Sequence, residues 1–308
     1  MAAEPMQDMP DLKNRVAVIV NAAAGLGYDG DWTAALRDKF AAVGLKADVT
    51  LAASGDEMIG AARDAVARGV DIVAAGGGDG TINAVASVMV DSDITFAVLP
   101  LGTLNHFAKD LGIPLALDEA IANIAKGRVR RVDVGEVNGR IFLNNSSLGL
   151  YPDIVRDREK QQRRLGRGKW LAFCWASLAA LRRFPFLSVR LTVGEDEHAR
   201  RTPFVFIGNN EYLMQGLTIG ERAVLDGGKL SLYVAQRPTR LGLVRFAGHA
   251  LLGRLGQSPD FDVLLAERFA IDTRRKLIRV ATDGEVTLMA PPLNYRSRPA
   301  ALAVIVPR

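Results

Sequence analysis

The sequence predicts an α/β domain built on a parallel sheet, followed by a β-rich domain with two helical insertions. Three observations carry that prediction. The first third alternates short apolar, β-branched runs with segments of helical periodicity, the pattern of βαβ units. After about Val132, strand-like runs dominate, separated by turn signals. The length of 308 residues favours two domains, at roughly 100–200 residues each. The expected boundaries are 12–132 for the first domain and 133–299 for the second.

Val16–Val20 (VAVIV) is a continuous apolar run, the mark of a strand buried on both faces, and it ends at the turn NAAAG, Asn21–Gly25. Asp31–Val43 places Trp32, Leu36, Phe40 and Val43 at helical spacing and stops at Gly44. Lys46–Leu51 reads as a strand, Asp56–Arg68 as a helix ending at Gly69, and Val70–Ala75 as a buried strand. Thr81–Val90, Ile94–Pro100 and Thr103–Leu111 continue as helix, strand and helix. In such sheets ligands bind at the carboxyl ends of the strands. In the second half, Arg140–Ser147, Leu187–Val193, Pro203–Ile207, Leu230–Ala235, Phe261–Ile271 and Ile278–Ala281 are strand-like. Arg156–Phe184 and Thr239–Leu255 are the helical insertions.

Composition narrows the function classes. The 24% charged and 49% hydrophobic residues are ordinary for a globular chain and exclude whole-chain disorder or coiled coil. The single cysteine, Cys174, rules out an intrachain disulfide and a Cys-rich metal site. His106, His198 and His249 are scattered, which argues against a His-based zinc site. The acidic N-terminal stretch has no apolar core of a signal peptide, and no run reaches about 18 apolar residues. The expectation is a cytoplasmic protein.

The sharpest chemical signal is AAGGGDGTINAV, Ala74–Val85, three glycines after a buried strand with Asp79, Gly80 and Thr81 opening a helix. Glycines let backbone N–H groups approach an oxyanion, and a helix N-terminus adds partial positive charge, so phosphate is the natural ligand. Asp79 would act through Mg²⁺ or face a hydroxyl acceptor. The same residues also fit a plain βα turn in which Asp79 or Thr81 caps the helix. No G-K-[ST] follows, so this is not a P-loop, and its place after the third strand does not suit a dinucleotide fingerprint. PLGTLNHFAKDLGIP, Pro100–Pro114, occupies the next strand-to-helix transition, with Gly102 for close approach and Thr103 and Asn105 as neutral donors. Together with Asn21–Gly25, three small-residue turns at one sheet edge make a phosphate-binding groove.

These motifs resemble the diacylglycerol kinase catalytic family, which includes bacterial lipid kinases and sphingosine kinases. GGGDGTIN (Gly76–Asn83), PLGTLN (Pro100–Asn105) and NAAAG carry the resemblance, with FLNNSSLG, FIGNN and TDGE (Thr282–Glu285) following in family order. The resemblance implies an N-terminal α/β domain of the NAD kinase and diacylglycerol kinase type and a C-terminal β-sandwich, with nucleotide between them. It also implies that Leu302–Val306, in the 300–308 stretch, returns to the first domain. It implies ATP contacts from Asn21, Gly25, Gly76, Gly77, Gly78, Asp79, Gly80, Thr81, Asn83, Gly102 and Thr103. Glu285 matches the family's general base, although Asp283–Gly284 alone reads as a hairpin turn. The chain departs from the family at Ala22 and His106. It departs again in AVLDGGKL (Ala223–Leu230), where Asp226 stands but Gly227 replaces the family's usual metal-binding Asp. The implied metal ligands are Asp79 for the Mg²⁺ that travels with ATP and Asp226 for a structural ion.

Arg156–Lys169 holds seven basic and two acidic residues and runs into Trp170, Phe173 and Trp175. Basic residues beside aromatics suit an anionic bilayer; the bland alternative is a solvated charged helix followed by a packed one. No nucleic-acid module accompanies the charge. The sequence therefore points to an ATP- and Mg²⁺-dependent lipid kinase, peripheral at the inner membrane face. The rivals are a kinase of a soluble substrate, as in NAD kinase, and a nucleotide-binding module without catalysis.

Overall fold

The computed structural model describes residues 15–22, 30–149, 187–215, 218–222, 224–235 and 261–308. Gly25 and both expected insertions, 156–184 and 239–255, lie outside the described residues. Two compact units emerge, one of residues 1–132 with 300–308, the other of 133–299.

The first unit is a parallel sheet flanked by helices. Its strands are β1 (Arg15–Asn21), β2 (Lys46–Ala52), β3 (Ile72–Gly77) and β4 (Thr95–Pro100), in the order β2-β1-β3-β4. β3 and β4 are buried along their whole length, as continuous apolar runs demand. Helices α1 (Gly30–Ala42), α2 (Gly55–Ala67) and α3 (Asp79–Met89) alternate with the strands. α1 buries Leu36 and Phe40 against Val18 and Ala74 of the sheet in one core. α2 starts at a reciprocal cap: the Ser54 hydroxyl accepts the Glu57 N–H, and the Glu57 carboxylate accepts the Ala53 N–H. The last strand, β18 (Leu293–Val306), brings Val304 parallel to Phe96 of β4.

The structure corrects the expected elements at two places in this unit. The helix expected from Thr103 begins only at His106, as α4 (His106–Asp110), because Thr103–Asn105 stay in the turn and Asn105 has a φ of 51°. A further helix, α5 (Leu117–Lys126), buries Ala120, Ile121 and Ile124. Strand β5 (Arg128–Val137) follows it.

The second unit is a β-sandwich. β14 (Phe261–Ala266), β13 (Leu230–Ala235), β10 (Phe204–Asn209), β7 (Asn145–Gly149), β16 (Ile278–Thr282) and β17 (Glu285–Met289) form one antiparallel sheet in that order. The facing layer contains β9 (Asp196–Thr202), β8 (Leu187–Val193), β15 (Arg268–Thr273) and the leading residues of β18, with the short β6 (Arg140–Phe142) paired to β5. Val205, Ile207, Leu232 and Val280 of the first layer share one core with Val189, Leu191, Ile271 and Tyr295 of the second. β11 (Tyr212–Gln215) and β12 (Thr218–Arg222) form a separate two-stranded ribbon, tied to the main sheet by bonds from Tyr212 and Arg222.

Two expected strands are broken in the structure. Arg140–Ser147 divides into β6 and β7, because the N–H groups of Leu143, Asn144 and Asn145 turn to the Asp283 carboxylate instead of a ladder. Phe261–Ile271 divides at Glu267: β14 pairs with β13, whereas β15 pairs with β8 and β18 in the other layer.

Candidate active site

In the first unit the turns are packed backbone to backbone. The Leu101 N–H donates to the Gly77 carbonyl at 3.1 Å. A Cβ on Gly77 would stand 2.5 Å from Thr81 Oγ1, and one on Gly102 would collide with the Gly78 Cα. Glycine is therefore required on both sides of this contact. Asn105 fastens the second turn from within. Its Oδ1 accepts the Gly102 N–H at 3.0 Å, and its Nδ2 donates to the carbonyls of Gly102 (2.9 Å) and Pro100 (3.3 Å). Asn21, at the end of β1, donates through Nδ2 to Thr81 Oγ1 at 3.1 Å. Through that bond the first turn joins the glycine turn.

Neither Asp79 nor Thr81 caps α3, contrary to the alternative left open by the sequence. Gly78 is the N-cap residue and supplies no side-chain bond. Among the described residues no side chain caps the first-turn amides of α3, an arrangement that suits phosphate. The Asp79 carboxylate instead accepts the N–H groups of His106 and Phe107, each at 3.2 Å. It ties the glycine turn to the start of α4. Two accepted bonds leave a carboxylate with further lone pairs, so Asp79 can still offer an oxygen to a metal held mainly by phosphates. Asn83 is buried in α3, and its Oδ1 has no partner among the described residues. As an acceptor it suits a hydroxyl or amino donor. Gly76 is buried within β3, Gly80 is half-buried, and Thr103 is exposed beside Leu104.

In the second unit, Thr282 pairs with Glu285 across a two-residue hairpin. Asp283 and Gly284 have φ of 47° and 87°, the left-handed pair that a type I′ turn requires. The Asp283 carboxylate accepts three backbone N–H groups, from Leu143 (2.7 Å), Asn144 (2.9 Å) and Asn145 (3.0 Å). Burial pushes its pKa up to about 6, against the pull of these donors and of Arg222. Arg222 is buried and donates to the carbonyls of Leu143 (2.7 Å) and Asn209 (3.0 Å) and to Asn144 Oδ1 (2.9 Å). Segment 143–145 is therefore gripped on its amides by a carboxylate and on its carbonyl side by a guanidinium. Glu285 leaves 55% of its side chain exposed and forms an ion pair with Arg140. The same guanidinium also donates to Thr282 Oγ1 (3.1 Å) and Thr287 Oγ1 (2.8 Å). Arg140 thus fixes the Glu285 carboxylate to its own hairpin.

Asp226 is exposed in the loop before β13. Its neighbours close on protein acceptors: the Gly227 N–H donates to Asn210 Oδ1 (2.9 Å) and the Gly228 N–H to Asp133 Oδ2 (2.6 Å). A Cβ on Gly227 would stand 2.9 Å from Asn210 Oδ1. No group of three His, Cys, Asp or Glu comes together among the described residues. A structural metal caged at Asp226 does not fit this donor set.

Residues 15–137 match the model of the diacylglycerol kinase catalytic domain, and residues 153–306 match that of the YegS C-terminal NAD kinase beta sandwich-like domain. The chain is 30% identical over 250 residues to "Probable lipid kinase YegS-like" of Pseudomonas aeruginosa, with 79% of each chain covered. The chain belongs to the diacylglycerol kinase-like lipid kinase family.

Other relatives agree with that membership. "Diacylglycerol kinase" of Bacillus subtilis is 27% identical over 289 residues, covering 90% of this chain and 91% of its own. A crystal structure of a diacylglycerol kinase from Bacillus anthracis str. Sterne superposes with a TM-score of 0.72 over 95% of this chain and 97% of that one. At 24% identity it shows the shared fold. In this lipid kinase family member, no helix among the described residues is long and apolar enough to cross a membrane. Sequence reasoning missed Arg140, Arg222 and Asp283 as holders of the second-unit hairpin. The Asp-Gly turn signal and the FLNNSSLG and TDGE motifs mark the region without giving these roles.

Proposed function

We propose that this lipid kinase transfers the γ-phosphate of ATP, with Mg²⁺, to a hydroxyl of diacylglycerol or a related lipid. The observation that carries the reading is the first unit's turn assembly. Uncapped helix amides, a glycine–glycine backbone contact and a carboxylate stand together at the carboxyl ends of parallel strands. Phosphoryl transfer asks mainly for positioning and charge neutralisation. The amides of α3 and the turns at Gly78 and Gly102 hold the phosphates, and Asn21 and Thr81 brace the turn. Asn83 Oδ1 accepts from a nucleotide hydroxyl or amino group. When bound, Mg²⁺ neutralises phosphate charge, and Asp79 supplies its protein oxygen. Glu285, oriented by Arg140, takes the proton from the lipid hydroxyl.

Incubation of the purified protein with γ-labelled ATP, Mg²⁺ and a total lipid extract tests the reading. The expected result is label in a phosphorylated lipid, lost when Mg²⁺ is chelated. Label in NADP from added NAD, with none in lipid, would replace it with the soluble-substrate reading. ATP binding without turnover on any acceptor would leave a non-catalytic module.

A further inference from the structure

The open end of the β8–β9–β15 layer is strongly basic. Its strand ends meet there, with Ser188 opposite Arg201, and Val189 opposite both Arg200 and Thr273. Arg190, Arg200, Arg201 and Arg274 line an open trough of about 410 Å³, together with Asp272. The loop after β15 continues with exposed Arg275 and Lys276. Among the described residues, Glu197 lies 3.9 Å from Arg190, and Asp272 is the acidic residue of the trough lining. The acidic residues Glu195 and Asp196 sit at the opposite end of the same strands, in the β8–β9 turn and at the first position of β9.

Exposed leucines stand in the adjoining groove. Leu277 and Leu288 are 56% and 60% exposed, and Arg275 and Arg279 flank them. A single exposed leucine needs no explanation, but two set among cations match the chemistry of a bilayer interface. There, basic groups meet lipid phosphates while aliphatic side chains enter the acyl boundary. Nucleic acid would use the cations but not the leucines. Gly149 and Leu187 also line this groove.

We infer that this face, built from the Arg200–Arg201 end of β9, the 274–277 loop and Leu288, docks the protein on an anionic lipid bilayer. Its purpose rests on the lipid-substrate reading; its chemistry does not. The test uses the full chain and vesicles of phosphatidylcholine alone or mixed with an equal part of phosphatidylglycerol. Two variants leave residues 156–169 untouched: the triple Arg200→Glu/Arg274→Glu/Arg275→Glu and the double Leu277→Ser/Leu288→Ser. Wild type should sediment with the anionic vesicles and not with the neutral ones. The triple variant should partition roughly a hundred-fold more weakly at low salt, as about 1 kcal/mol per basic residue implies. The double variant should bind several-fold more weakly with an unchanged salt dependence. Both should melt like wild type and keep its turnover on short-chain diacylglycerol in neutral detergent. Anionic-vesicle binding equal to wild type in both variants, or none by wild type itself, overturns the inference. Vesicle binding that responds as expected, in a protein with no lipid turnover, leaves the docking face standing and removes the kinase reading instead.

Discussion

The glycine turns of the first unit and the Asp283–Glu285 hairpin of the second both lie at strand ends, but they are held by opposite means. The glycine turns are built from backbone: Gly77, Gly78 and Gly102 let chains touch, and Asn105 closes the loop with neutral bonds. Asp79 is the charged member of that assembly. The hairpin is built from charge, with Asp283 on three amides, Arg222 on carbonyls and Arg140 on Glu285. Backbone construction suits a site for an anion, since amides bring donors without a full charge. Charge construction suits a site that must hold one carboxylate at a set place.

Substitutions can break that contrast. The largest effect should come from Glu285→Gln, with kcat falling ~10²–10⁴-fold, the usual share of a general base, and ATP affinity unchanged. Equilibrium nucleotide binding beside single-turnover kinetics checks it, and loss of ATP binding would place Glu285 in the nucleotide site. Asp79→Asn should lower kcat by at least ~10²-fold, the scale of removing one strong electrostatic contributor. It should also cost about 1–3 kcal/mol of stability, because an amide cannot accept from both His106 and Phe107 as the carboxylate does. Chemical denaturation reads the second part, and a stability loss with normal turnover would leave Asp79 as a brace alone.

Gly77→Ala sharpens the backbone side of the comparison. Its Cβ would push Thr81 away and break the bond from Asn21, at a cost of about 1–3 kcal/mol, with roughly ten-fold weaker ATP binding expected by calorimetry. The smallest effect concerns pH. The native pKa of Asp283 is raised from 3.8 to about 6, so the protonated form is favoured by folding. Its stabilising contribution is complete below pH 3.8 and is lost as pH rises through about 6. The melting temperature of wild type relative to Asp283→Asn should therefore decline between pH 4 and pH 7. A rise instead would mean that the three amide bonds outweigh burial.

The contrast also explains what was legible. A backbone site needs glycine at fixed spacing, so GGGDGTIN and PLGTLN stand out in the sequence as strand-to-helix turns, although the helix after the second starts three residues later than its periodicity predicts. The hairpin's supports come from residues far apart in the chain, Arg140 and 143–145 on one side and Asp283 on the other, so only the Asp-Gly turn could be read locally. α5 has apolar residues at helical spacing but opens at Ala116 without a side-chain cap, and so lacks a start signal. β9 is an edge strand that exposes most of its polar residues and offers no apolar run. β5 hides Glu136, whose partners Arg296 and Arg298 lie far along the chain.

The parallel sheet of the first unit ends in a strand from the far end of the chain, Val304 beside Phe96. Order of synthesis and order of assembly therefore cannot coincide. When residue 132 has left the ribosome, β4 presents an unpaired edge. The 133–299 stretch must be made before the strand that covers it appears. At about 5–20 residues per second, that interval is roughly ten to thirty seconds, long enough for a bare strand edge to need guarding against other chains.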